Sequence, residues 1–176
     1  MKLAKNNRVR KGKNFQFRNL MLLHWTMFPL FLLLFWTGVF VSRLPDEYNI
    51  ANVFPFLHQS FGILIIILLI ARFFLLLRWI WHRYSKSSFP NLIWLRKLAL
   101  HIGLYFFMFV VPISGLLLRN ARGIDTTFFG SLVSPLISEN NLVAKILEES
   151  HFWTAYLFLG FIVLHIFANR KFINKF

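Results

Sequence analysis

The chain has 176 residues, 57% of them hydrophobic, no cysteine, and a formal net charge of +14. The lack of cysteine excludes disulfides, iron–sulfur clusters, thiolate ligation and the C-x-x-C-H attachment of haem. The charge does not read as a nucleic-acid surface, because its basic residues fall in blocks separated by long apolar runs.

The first block holds Lys2, Lys5, Arg8, Arg10, Lys11, Lys13 and Arg18, with no acid. An apolar run over Leu20–Val41 follows. It is long enough to cross a hydrocarbon core of about 30 Å at roughly 1.5 Å per residue. Basic residues before an apolar run resemble a secretory signal. The length of this one, and the want of a small-x-small cleavage site, predict a retained anchor. A second span is expected over Leu57–Leu77, with His58 at its start and Arg72 inside it. Arg78, Arg83, Lys86, Arg96 and Lys97 separate it from a third span, Leu98–Leu118, which His101 enters. Pro29 and Pro112 are predicted to kink the first and third spans. In the connection to Glu149, apolar Leu142, Val143, Ile146 and Leu147 recur at helical spacing. They predict a short amphipathic helix over about 140–149, lying on the outer surface. The fourth span, Ser150–Ala168, leads to Arg170, Lys171 and Lys175. No repeats stand out, and no stretch remains that could build a soluble core. The expectation is all-α: an integral membrane four-helix bundle forming a single domain over residues 1–176.

All six acids (Asp46, Glu47, Asp125, Glu139, Glu148, Glu149) fall in the first and third connections. Basic residues collect on the cytoplasmic side, so both termini are expected there and the acid-bearing loops outside. The basic excess then serves topology and contact with anionic lipid headgroups, and no nucleic-acid partner is expected. Trp25, Trp79, Trp81, Trp94 and Trp153 fall at predicted membrane edges and read as interfacial anchors. Gly38, Gly62, Gly103, Gly115 and Gly160 offer either close helix approach or room beside a planar cofactor.

Histidines decide the chemistry. His151 and His165 are fourteen residues apart, which on a helix places them on one face with a rise of roughly 21 Å. With both termini inside, His24 and His165 share the cytoplasmic level, and His58 and His151 share the outer level. Two opposed imidazoles at one depth suit bis-histidine ligation of haem iron, and two such levels suit two non-covalent haems. Zinc is the competing metal, but it wants three or four ligands at one site. Arg72 lies fourteen residues after His58 and reads either as a partner for the propionates of an inner haem or as an arginine snorkelling to the headgroups. Arg18 offers the same choice between a propionate partner and a member of the basic cluster. His101 either assists a quinone or proton step at the inner level or sits at the interface. His82, in WIWHRYSK, reads as exposed.

Taken together, Arg18-x5-His24-Trp25, His58-x13-Arg72, His101-x3-Tyr105 followed by Pro112-x-Ser114-Gly115, and His151-x13-His165 resemble the prokaryotic cytochrome b561 family over essentially the whole length. The resemblance implies a di-haem b protein of the bacterial inner membrane. In it His24 and His165 match the ligands of an inner haem, and His58 and His151 those of an outer haem. It implies electron transfer between an outer donor and the quinone pool, in one branch an oxidoreductase acting on superoxide. Related proteins act as cytochrome b subunits that anchor a dehydrogenase or hydrogenase. Many relatives carry a further histidine and a longer polar tail after the last ligand, whereas this chain ends HIFANRKFINKF. A haem-free transporter with histidine proton relays is the remaining reading. Arg43, Arg119, Arg122 and Lys145 could steer a small outer anion, although the six acids oppose them in bulk.

Overall fold

The computed structural model describes residues 2–43, 53–83 and 92–173, with side chains placed within those ranges for 15–78, 80, 95–96 and 98–169. Four helices dominate: α1 (Lys2–Arg43), α2 (Val53–Arg83), α3 (Leu92–Ala121) and α4 (Asn141–Ile173). Each contains a membrane-length apolar stretch, namely Phe15–Arg43, Val53–Arg78, Leu98–Ala121 and Asn141–Asn169. Every predicted span is therefore present, extended at both ends. Helical hydrogen bonding does not stop where the side chains turn polar. α1 and α3 run unbroken through Pro29 and Pro112.

Large apolar side chains cover the outside. Leu22, Trp25, Trp36, Phe74, Trp153 and Phe167 are each at least 60% exposed, the outward apolar surface expected of membrane-spanning helices. Trp25 and Trp153 thus occupy the surface expected of interfacial anchors. The side chains of Trp79, Trp81, Trp94 and His82 lie outside the described residues. The buried core is small and sits mid-bundle: Met27, Ile65, Leu69, Leu104, Met108 and Phe158. Gly103 belongs to this packing, since a Cβ there would run into the Phe161 ring. α1 lies along α2, α3 along α4, and α2 against α3. Among the described residues α4 makes no comparably extended backbone approach to α1 or α2. Aromatic pairs bridge that space instead, Phe31 with Phe158 at 5.0 Å and Phe35 with Tyr156 at 5.7 Å between ring centroids.

The connection from α3 to α4 departs from the sequence expectation twice. The amphipathic segment 140–149 is helical but is not a separate surface helix; it forms the first turns of α4. The Asn140 side chain caps those turns, its Oδ1 accepting from the Leu142 and Val143 amides at 3.0 Å each. No glycine or proline interrupts the chain from there to Gly160, so nothing ends the helix before the apolar run.

Secondly, a two-stranded antiparallel hairpin, β1 (Thr126–Phe128) and β2 (Ser131–Val133), sits within the connection. Its two-residue turn has positive φ at both central positions, 47° at Phe129 and 93° at Gly130. That is the primed geometry whose twist matches a hairpin, and a bulky side chain rarely adopts it. Contacts to α2 hold Phe129 there: its amide donates to Ser60 Oγ at 3.2 Å, and its ring meets Phe61 at 5.6 Å. Gln59 Nε2 donates to the carbonyl and the hydroxyl of Thr127. α3 ends in a Schellman motif, with the Gly123 amide (φ 65°) bonding the Asn120 carbonyl and the Ile124 amide bonding that of Arg119.

Candidate haem sites

Two pairs of histidines face each other across the space between the α1–α2 and α3–α4 hairpins. At the end beside the β-hairpin, the rings of His58 (α2) and His151 (α4) have centroids 6.1 Å apart and planes at 88°. At the end nearer the termini, His24 (α1) and His165 (α4) stand 6.2 Å apart at 71°. His151 and His165 are separated by fourteen residues of one continuous helix, hence by about 21 Å along its axis. The rings expected to share a depth thus lie near one another, and His101 also lies against His165.

The hairpin-side pair is held from behind by a repeated device. His58 Nδ1 lies 3.0 Å from the Leu34 carbonyl and 3.1 Å from Thr37 Oγ1, both on α1. His151 Nδ1 lies 2.9 Å from the Val111 carbonyl and 3.2 Å from Ser114 Oγ, both on α3. A carbonyl only accepts, so each Nδ1 carries the hydrogen and each Nε2 keeps its lone pair, directed away from the helix behind it. The Thr37 and Ser114 hydroxyls donate back to their own helices, to the Leu33 carbonyl at 2.9 Å and the Val111 carbonyl at 2.8 Å. One residue on, a glycine makes room. A Cβ on Gly38 would lie 3.0 Å from His58 Cε1, and one on Gly115 would lie 2.8 Å from His151 Cε1. Carbonyl, hydroxyl three residues later and glycine four residues later thus recur on α1 and α3.

The termini-side pair is held differently. Among the described residues His165 Nδ1 has a long 3.4 Å approach from Asn169 Nδ2, whose stronger bond is to the His165 carbonyl at 2.9 Å. The His101 ring lies 5.1 Å from that of His165, at 87°. Arg72 lies within electrostatic range of both His24 and His165. Its Nε donates to Tyr105 Oη at 3.0 Å, and its guanidinium carbon sits 5.7 Å from the Tyr105 ring centroid. Arg18 instead lies over the Phe15 ring at 5.6 Å and is exposed. Gly62 and Gly160 have open space where a Cβ would stand.

These residues fit a bis-histidine haem. With a metal–imidazole bond of about 2 Å, an iron midway between opposed rings puts their centroids roughly 6 Å apart. Both pairs have that separation. Each outward-facing Nε2 at the hairpin side is the neutral nitrogen donor such iron takes, and its Nδ1–H bond is the outer-shell contact typical of metal-bound histidine. Among the described residues no group of three or more His, Cys, Asp or Glu is arranged to hold one metal ion, as zinc would need.

The roles of Leu34, Thr37 and Val111 escaped sequence reasoning, and Arg119 appeared there only as a loop cation. Backbone carbonyls leave no mark in a sequence. The available signal was a hydroxyl residue directly before a glycine, Thr37-Gly38 and Ser114-Gly115, in two apolar spans.

The family described as prokaryotic cytochrome b561 matches residues 18–170. Cytochrome b561 homolog 2 of Escherichia coli (strain K12) is 28% identical over 160 residues, covering 86% of this chain and 82% of that protein. Cytochrome b561 homolog 1 of the same organism is 31% identical over 98 residues, 53% of each chain. The match spans all four helices and every paired histidine, and the chain belongs to the prokaryotic cytochrome b561 family, multi-pass membrane proteins that bind b-type haem and transfer electrons.

Proposed function

We propose that this protein holds two b-type haems and passes electrons between an outer donor and the quinone pool of the bacterial inner membrane. His58 and His151 ligate the outer haem, and His24 and His165 the inner one. The observation that carries this reading is the 6.1 and 6.2 Å separation of the two imidazole pairs. Both termini lie in the cytoplasm and the β-hairpin faces outward, because the acids concentrate in the first and third connections. Bound haem supplies one-electron redox chemistry. The chain would fix ligand orientation and space the two sites along α4, and Arg72, held by Tyr105, would supply positive charge to the inner-haem propionates. His101, beside His165 and exposed, would bind a quinone headgroup or move its proton.

Superoxide is the small donor that the resemblance favours. Steering by the outer cations is weak support for it, since Arg122 is already paired with Glu148 at 2.7 Å and an exposed pair of this kind leaves little net field. An oxidised-minus-reduced absorption spectrum tests the reading: low-spin b-haem bands at two haems per chain are expected, and a haem-free protein overturns it. Superoxide plus a soluble quinone should then yield quinol. Inertness in that assay replaces the self-sufficient enzyme with a haem-bearing anchor that works only docked to a dehydrogenase or hydrogenase.

A further inference from the structure

Arg119 lies in the last full turn of α3, four residues after Gly115 and eight after Val111, on the helix face that cradles His151. It also lies within electrostatic range of His58. One end of its guanidinium is used, with Nη2 donating to the Asp125 carbonyl at 2.7 Å. Its Nε is buried with no hydrogen-bond partner, the one such side-chain atom among the described residues. A buried N–H of a cation without an acceptor is costly, and such groups in native proteins mark a ligand or a functional strain. Asp125 is close enough to act on it electrostatically, yet offers it a backbone oxygen.

We propose that Arg119 binds an oxyanion at the hairpin-side pair, and that this oxyanion is a propionate of the haem held by His58 and His151. The inference rests on the two-haem reading above. It makes Arg119 the outer counterpart of Arg72: each is partly engaged by the protein and lies within electrostatic range of a histidine of its pair. Guanidinium suits this, because its fork accepts a carboxylate while a second N–H stays on the loop. The positive charge favours the reduced haem, the state with one more electron.

Spectroelectrochemical titration of the purified holoprotein tests it. R119Q should lower the outer-haem midpoint by about a tenfold change in equilibrium constant, ~59 mV for one electron, and leave the inner haem unmoved. R119K should restore most of the shift. Thr126→Val, which removes the 3.1 Å bond from Asn120 to Thr126 in the same connection, is the structural control and should move neither midpoint. Loss of the outer haem from R119Q but not from Thr126→Val also supports the proposal. An unmoved outer midpoint in R119Q, or equal damage in the control, overturns it. So does a wild-type outer midpoint that moves with added inorganic phosphate and stops doing so in R119Q, because Arg119 then holds a free anion. Fewer than two haems in the wild type overturns instead the reading on which this rests.

Discussion

The two histidine pairs have nearly the same ring separation, 6.1 and 6.2 Å, yet they are supported in opposite ways. At the hairpin side each Nδ1 is fixed by a carbonyl and a hydroxyl from the neighbouring helix, and a glycine clears the space beside the ring. At the termini side one long amide approach supports His165, while a third imidazole and an arginine–tyrosine pair crowd in. Nδ1–H bonds orient a ligand and raise its basicity. The first site is therefore built for rigid ligation. The second is richer in groups that move protons or carry charge, as the proposed quinone reaction would require.

The comparison breaks most easily at the ligands. Replacing His151 with Ala should cut haem content from two per chain to one, and the survivor should keep the spectrum of the inner haem; equal loss of both would dissolve the pairing by depth. Gly115→Ala comes next. Its Cβ would sit 2.8 Å from a ring atom, so most outer haem should be lost, whereas Gly160→Ala, which meets nothing, should load normally. Gly38→Ala, at 3.0 Å, should fall between them. Haem titration of these three sharpens the claim that the glycines exist for the rings. Thr37→Val combined with Ser114→Ala should weaken outer-haem retention by about 10- to 100-fold, the usual cost of losing such contacts, with inner retention unchanged. Arg72→Gln should leave both haems bound and lower only the inner midpoint, read by redox titration. The smallest effect belongs to Gln59→Ala. Faster amide exchange at Thr127–Phe129 is expected, with haem content intact.

Much of this arrangement is legible from residue order. Hydropathy finds the four spans, and the fourteen-residue spacing of His151 and His165 places both on one face because helical geometry leaves no other choice. The boundaries are less legible. Asn140 caps a helix that nothing afterwards terminates, so a segment with an amphipathic pattern merges with the span beyond it. The hairpin is harder still. Thr126, Thr127 and Val133 are good strand residues, but a turn that begins with phenylalanine carries no Asn-Gly or Asp-Gly signal, and tertiary contacts alone hold it. The cradle behind the outer rings is hidden for another reason: half of it is backbone. Arg119 is hidden because its role depends on one nitrogen left unmatched, which only coordinates reveal.

The hairpin's attachment has a consequence for how this sequence can change over generations. Connections between membrane helices ordinarily drift freely. Here residues 59–61, immediately after His58, grip residues 127–129 through side-chain amide, hydroxyl and ring. A substitution in the hairpin turn is thus felt one residue away from an imidazole of the pair, and lineages that remodel the loop should do so with matching changes at Gln59, Ser60 and Phe61.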